Sequence, residues 1–320
     1  MADFFGTSVA VSGDTVVVGA LHAEIGGNES QGSAYVFVKP AEGWVDTTET
    51  AKLTASDGAA EERFGVSVAV SGDTIVAGKF LGGNSRQGPA YVFVKPAGGR
   101  VNMIETAQLT ASDGEPNSSL GESVAVSGDT VVVGGFPAYV FVKPTDGWAG
   151  LRTESAKLRR GGLPVAVSGD SVVAGILRFT KPVGGWAGVV RETAVLTASD
   201  GSPADAFGFS VGVSGDTVVV GAPFKDNDQG SAYVFVEFEV TVPATRIDCK
   251  TGGCKVLVTC NIAQDVETRC RNRINLFVRA SAARLRDDPS AKPRRRIKFA
   301  FGISNIPPGE TNAAPAHAEG

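Results

Sequence analysis

Four cysteines, Cys249, Cys254, Cys260 and Cys270, stand in one short stretch of a 320-residue chain, and the rest of the chain has none. Thiols grouped in this way either pair as disulfides or hold a metal. Cys249 and Cys254 flank Lys-Thr-Gly-Gly, a hairpin turn that sets them opposite one another, and Cys260 and Cys270 flank a second loop. Bridges 249–254 and 260–270 are therefore favoured, with the other connectivities open. The rival is a zinc site of four cysteine thiolates. Zinc knuckles pair cysteines about two to four residues apart, a rhythm that these gaps do not repeat. Disulfides imply an oxidising compartment.

Asp226-Asn227-Asp228 puts three oxygen-bearing side chains in a row before Gly230. It reads as a loose cation loop or, favoured, a solvated polar loop. Asp14, Asp73, Asp129, Asp170 and Asp216 each follow the glycine of a Ser-Gly-Asp turn. Catalysis needs one site rather than five equivalents, so these aspartates are expected to cap their own turns. Histidine is confined to His22 and His317, and neither Gly-x-Ser-x-Gly nor His-Glu-x-x-His occurs. A carboxylate pair assembled from distant strands stays open. The basic cluster of Arg284, Arg286, Lys292 and Arg294 to Arg296 is interrupted by Asp287-Asp288 and has no interleaved aromatic. It reads as an exposed turn, and no nucleic-acid partner is expected. Trp44, Trp148 and Trp186 offer sugar-stacking surfaces, but their fixed place after Lys-Pro, shared by Arg100, favours packing.

The elements that position these residues are repeats. Phe64-Gly-Val-Ser-Val-Ala-Val-Ser-Gly-Asp-Thr-Ile-Val-Ala-Gly78 recurs at 5–19, 120–134 and 207–221, and in a worn form at 161–175. Each copy is two apolar runs around Gly-Asp, a hairpin signal. Ala-Tyr-Val-Phe-Val-Lys-Pro follows at 34–40, 90–96 and 138–144. An Ala-x-Leu strand comes next at 51–53, 107–109, 156–158 and 194–196. Thr-Ala-Ser-Asp-Gly closes three units at 54–58, 110–114 and 197–201. Four strands per unit at a period of roughly 40–50 residues is the mark of a propeller blade. The fold class is thus all-β, a β-propeller of about five four-stranded blades followed by a small all-β module. Blade four, where Gly161-Gly162 replaces Phe-Gly, is degenerate and expected to be weakest, and blade five is incomplete. The blades span about 4–53, 64–109, 120–158, 163–196 and 207–238. A ring is expected, with its seam between blades one and five. An unfilled blade five would leave a strand edge open to self-association. The four-cysteine module runs over 242–306, and 307–320 reads as a disordered tail.

Phe207-Gly208 and Val220-Gly-Ala-Pro223 resemble the FG-GAP repeat of integrin α-chain propellers and their bacterial relatives. The four cysteines with Gly302-Ile-Ser-Asn-Ile-Pro-Pro-Gly309 resemble a β-sandwich module that follows such repeats in some secreted bacterial proteins. The integrin family holds calcium in a longer Asp-x-Asp-x-Asp-Gly loop. Here the loop is only Ser-Gly-Asp-Thr, one carboxylate for an ion that wants about six to eight oxygens, so those sites do not carry over. No cofactor is expected, and Ca²⁺ has only the 226–228 loop. What the resemblance implies is a non-catalytic recognition or adhesion scaffold. Its ligand, a protein or surface glycan, would be chosen by unlike loops at 21–32, 80–88 and 224–230. Candidate contacts are His22, Glu24, Asn28, Asn84, Arg86 and Lys225. A carbohydrate-binding module is the alternative, and a propeller hydrolase of glycosides or phosphoesters the second. The resemblance and the cysteines point to an extracellular, cell-surface or periplasmic site. Met1-Ala-Asp-Phe-Phe-Gly6 enters mid-repeat without a leader, as an N-terminally truncated chain would. No apolar run is long enough to span a bilayer. Acidic residues exceed basic ones up to residue 245 and the balance reverses beyond, for a net charge of −4.

Overall fold

The computed structural model describes residues 2–80, 88–114 and 118–236, with the backbone of 249–250 and 253–254. Asn84, Arg86, Cys260, Cys270, the basic cluster and the tail lie outside the described residues. The chain divides into two compact units, Met1–Val236 and Glu237–Gly320. In the second, Cys249–Lys250 and Gly253–Cys254 pair antiparallel with Cys249 opposite Cys254. No described helix is long and apolar enough to cross a membrane.

The first unit is five sheets in chain order, antiparallel in their principal strands, the blades that the repeat foretells. Blade one is Phe5–Ser12, Thr15–Ala20, Ser33–Val38 and Ala51–Thr54; blade two is Phe64–Ser71, Thr74–Lys79, Ala90–Val94 and Ala107–Thr110. Blade three is Val124–Ser127, Thr130–Val133, Ala138–Val142 and Ala156–Leu158; blade four is Val165–Ser168, Ser171–Ala174, Leu177–Thr180 and Ala194–Val195. Blade five keeps three described strands, Ser210–Ser214, Thr217–Ala222 and Ser231–Val236. Of the two residues at each first hairpin turn only the glycine has positive φ, from 54° at Gly13 to 55° at Gly215. That is the first corner of a type II′ turn, whose twist matches its strands.

The turn aspartates do not cap their own backbone as expected. The third strand brings the lysine of Lys-Pro alongside, giving Asp14–Lys39, Asp73–Lys95, Asp129–Lys143 and Asp170–Lys181 pairs at 3.0–3.8 Å. These are exposed and contribute little to stability. Stability comes instead from slabs between blades. Ala34, Val36, Ala51 and Leu53 on blade one meet Phe64, Ile75, Tyr91 and Phe93 on blade two. A small-residue face against a large-residue face recurs between blades two and three and between three and four, and a smaller slab joins four and five.

Two features depart from expectation. After the Trp or Arg slot the chain leaves its own blade and pairs parallel with the last strand of the preceding one. Met103–Ile104 lies on Ala51–Thr54, Gly150–Thr153 on Ala107–Thr110, and Gly188–Val190 on Ala156–Leu158. Each of the first three junctions thus gains a backbone strap. The seam between blades one and five, in contrast, is not formed among the described residues. Val9 and Val11 on blade one are 68% and 70% exposed, and Val234 on blade five is 64% exposed, whereas their repeat counterparts Val68, Val70 and Val92 are buried.

Candidate functional site

The repeat's chemistry-bearing residues are largely spent on holding blades together. The aspartate of each Thr-Ala-Ser-Asp-Gly turn accepts a hydrogen bond from the tyrosine of the next blade. Tyr91 donates to Asp57 at 2.7 Å, Tyr139 to Asp113 at 2.9 Å and Tyr233 to Asp200 at 2.9 Å. A lysine completes each latch: Lys79 on Asp57 and Glu62, Lys157 on Asp113, and Lys225 on Asp200 and Asp205. Burial works against the Asp57 carboxylate, but the Tyr91 hydroxyl and the Lys79 charge together hold its pKa below the usual value of 3.8. Burial, then the bond to Asp57, pushes Tyr91 far above the ordinary phenol range. The serine one place earlier is held as well. Ser56 donates its backbone N–H and hydroxyl to Glu105 of the following unit, and Ser112 does the same to Glu154. The recurrence of Asp57, Asp113 and Asp200 beside recurring tyrosines was the available signal for this trio.

The Trp slot packs blades where a neighbour exists. Trp148 and Trp186 are buried in the slabs, whereas Trp44, on the open face of blade one, is exposed. Arg100 is buried in the same slot, its guanidinium donating to the carbonyls of Gly72 and Asp73.

The loop candidates are mostly engaged. His22 Nδ1 lies 2.9 Å from Ser30 Oγ, and its ring stands 4.9 Å from that of Phe4. Asn28 donates to Gln31 and to the Gly58 carbonyl, fastening the 21–32 loop to the start of blade two. Glu24 is exposed. Lys225 is drawn into the Asp200 latch. Asp226, Asn227 and Asp228 are exposed with left-handed φ of 52°, 57° and 66°. Among the described residues no group of three His, Cys, Asp or Glu is placed to hold a metal.

One latch is missing. Where the third Thr-Ala-Ser-Asp-Gly should stand, the chain has Arg159-Arg160-Gly161-Gly162. The blade-four strand opposite carries Leu177 at the tyrosine position, so no hydroxyl there needs an acceptor. Glu192, the third glutamate, has lost its serine, and its Oε2 is buried without a described partner. The connection Gly135-Phe136-Pro137 is shortened at the same place. Together these changes leave a cleft of about 480 Å³ lined by Asp113, Phe136, Lys157, Arg159, Arg160 and Val189. Arg159 and Arg160 are exposed with no described ion-pair partner, and Phe136 and Val189 are exposed beside them. Two free guanidiniums by an aromatic ring suit an anionic group carried on an apolar or sugar body.

The FG-GAP repeat model matches residues 1–37, 47–93, 103–141 and 190–235, more than half of the chain. The chain belongs to the FG-GAP repeat family. No curated protein matches it. Among solved structures, the Pseudomonas aeruginosa periplasmic gluconolactonase PpgL is similar at 12% identity and a TM-score of 0.42, over 71% of this chain and 70% of that one. The computationally designed Ika4 protein is similar at 13% identity and a TM-score of 0.29, over 56% of this chain and 86% of that one. Neither likeness carries an argument about activity. Arg159, Arg160 and Val189 all fall between the third and fourth FG-GAP matches, so one wall of the cleft is sequence that the family pattern does not claim.

Proposed function

We propose that this FG-GAP chain is a non-catalytic recognition scaffold working outside the cytoplasm, and that it takes an acidic group of a protein or surface glycan into the cleft at Arg159 and Arg160. The observation that carries this reading is the contrast between spent and unspent groups. Tyrosines, lysines and aspartates of the repeat are committed to latches, whereas the two arginines stand free where the repeat breaks. Catalysis finds less support in the cleft. Its one lining carboxylate, Asp113, is held by Lys157 and Tyr139, which keep its pKa below the usual value and leave it without a proton to give. The paired backbones set Cys249 opposite Cys254, the register that a bridge between them would need, and such a bridge would fit that compartment.

The test is a binding screen of the full chain against neutral, carboxylated and sulfated glycans and acidic peptides. Binding should be confined to anionic probes, weaken with salt, and fall at least tenfold in an Arg159→Ala/Arg160→Ala variant. Turnover of a glycoside or phosphoester, or equal binding to neutral probes, contradicts the proposal.

A further inference from the structure

We infer that the open faces of blades one and five are the two halves of a head-to-tail joint, and that the occupant of each is a second copy of this chain. The four internal junctions define what such a joint requires. A serine of the leading blade accepts from the turn-glycine N–H of the following one: Ser12 from Gly72, Ser71 from Gly128, Ser127 from Gly169 and Ser168 from Gly215, at 3.0–3.2 Å. At the first two junctions a second serine donates across: Ser8 to the Gly65 carbonyl at 2.8 Å and Ser67 to the Gly121 carbonyl at 3.0 Å. Backbones touch there, since a Cβ on Gly19 or Gly78 would fall 2.0 or 1.9 Å from that carbonyl oxygen.

Blade five carries the leading half of this set, Ser214, Ser210 and Gly221, with no following blade among the described residues. Blade one carries the following half, Gly13 and Gly6; a Cβ at Gly6 would meet nothing within 4 Å, whereas one at its counterpart Gly65 would fall 2.5 Å from the Ser33 carbonyl oxygen. The apolar surfaces match in the same sense. Blade five exposes the small-residue face through Val219, Val234 and Val236; blade one exposes the large-residue face through Phe5, Val9, Val11 and Trp44. Inside the unit these two kinds of face always meet one another. The faces are thus complementary to each other and not to themselves, so the association is heterologous: blade five of one copy against blade one of the next. Such contacts close into rings or run on as open chains. This differs from pairing along the open strand edge of blade five, which would join like to like and leave both faces bare.

Sedimentation velocity on the full chain tests it, using Val11→Asp on the blade-one face and Val234→Asp on the blade-five face. Both positions are exposed in the single chain, so their melting temperatures as monomers report on folding separately. Wild type should sediment as a dimer or larger, and each variant alone at the mass of one chain. An equimolar mixture should form a one-to-one dimer and nothing larger, because each variant supplies the face that the other lacks. A monomeric wild type overturns the inference, whether the faces close on each other or another segment covers them. So do assemblies that survive both single substitutions, and so does a mixture that stays monomeric.

Discussion

Tyr91, Tyr139 and Tyr233 each reach out of their own blade to an aspartate at the end of an earlier unit. Tyr91 is buried, so removing its hydroxyl leaves the Asp57 carboxylate one donor short. Tyr91→Phe should cost about 1–2 kcal/mol, read from the midpoint of urea denaturation. The acid response follows from the carboxylates. Asp57, Asp113 and Asp200 all have folded pKa values below the usual 3.8. Their contribution is present above the unfolded pKa and lost as pH falls through the folded one. Stability should therefore hold down to about pH 5 and decline below about pH 4, and Asp57→Asn should flatten that decline. If stability rises towards pH 3, the latches are not charged acceptors. The aspartates and tyrosines were visible in the sequence as repeated letters, but not their pairing. A turn aspartate and a strand tyrosine far along the chain carry no local sign of meeting. Arg100, which shares the Trp slot in the sequence, is buried there, but nothing local foretold that its guanidinium would donate to the carbonyls of Gly72 and Asp73.

Between blades, glycine sets the distance of approach. Gly78 passes the Gly121 carbonyl so closely that a methyl group would have to displace backbone. Gly78→Ala should destabilise by about 1–3 kcal/mol or more, whereas Gly98→Ala, with open space around it, should fall within about 0.5 kcal/mol of wild type. Equal midpoints for the two would mean that blades two and three do not pack as described. The principal strands of the blades, four in each of the first four and three in the fifth, were legible because β-branched runs and Gly-Asp turns recur in register. The straps were not. Met103–Ile104 and Gly188–Val190 are two and three residues long, too short for any period. Their partners lie in the preceding unit, where no local pattern points.

For the unit Met1–Val236 as a whole, the repeat foretold sheets in chain order, but the ring expected from it is not closed among the described residues. Closure depends on the angle accumulated from blade to blade, which repeated residues do not encode; the exposure of Val9, Val11 and Val234 shows the two ends apart. The cleft at Arg159 and Arg160 was hidden for the opposite reason. It lies where the text degenerates, and a degenerate copy reads as weakness rather than as a place where latch residues have been exchanged for free cations. What matters most for the proposed function is the separation of the two sets: repeated groups hold the blades, and on that proposal the departures from the repeat bind. The direct test is the affinity of one anionic probe selected by the screen, measured side by side with thermal unfolding. Arg159→Ala/Arg160→Ala, Tyr91→Phe and His22→Ala/Glu24→Ala should be compared with wild type. The account predicts lost affinity with unchanged melting for the arginine pair, lowered melting with intact affinity for Tyr91→Phe, and retained affinity for the loop variant. Wild-type affinity in the arginine variant, with loss in the His22/Glu24 variant, would contradict it.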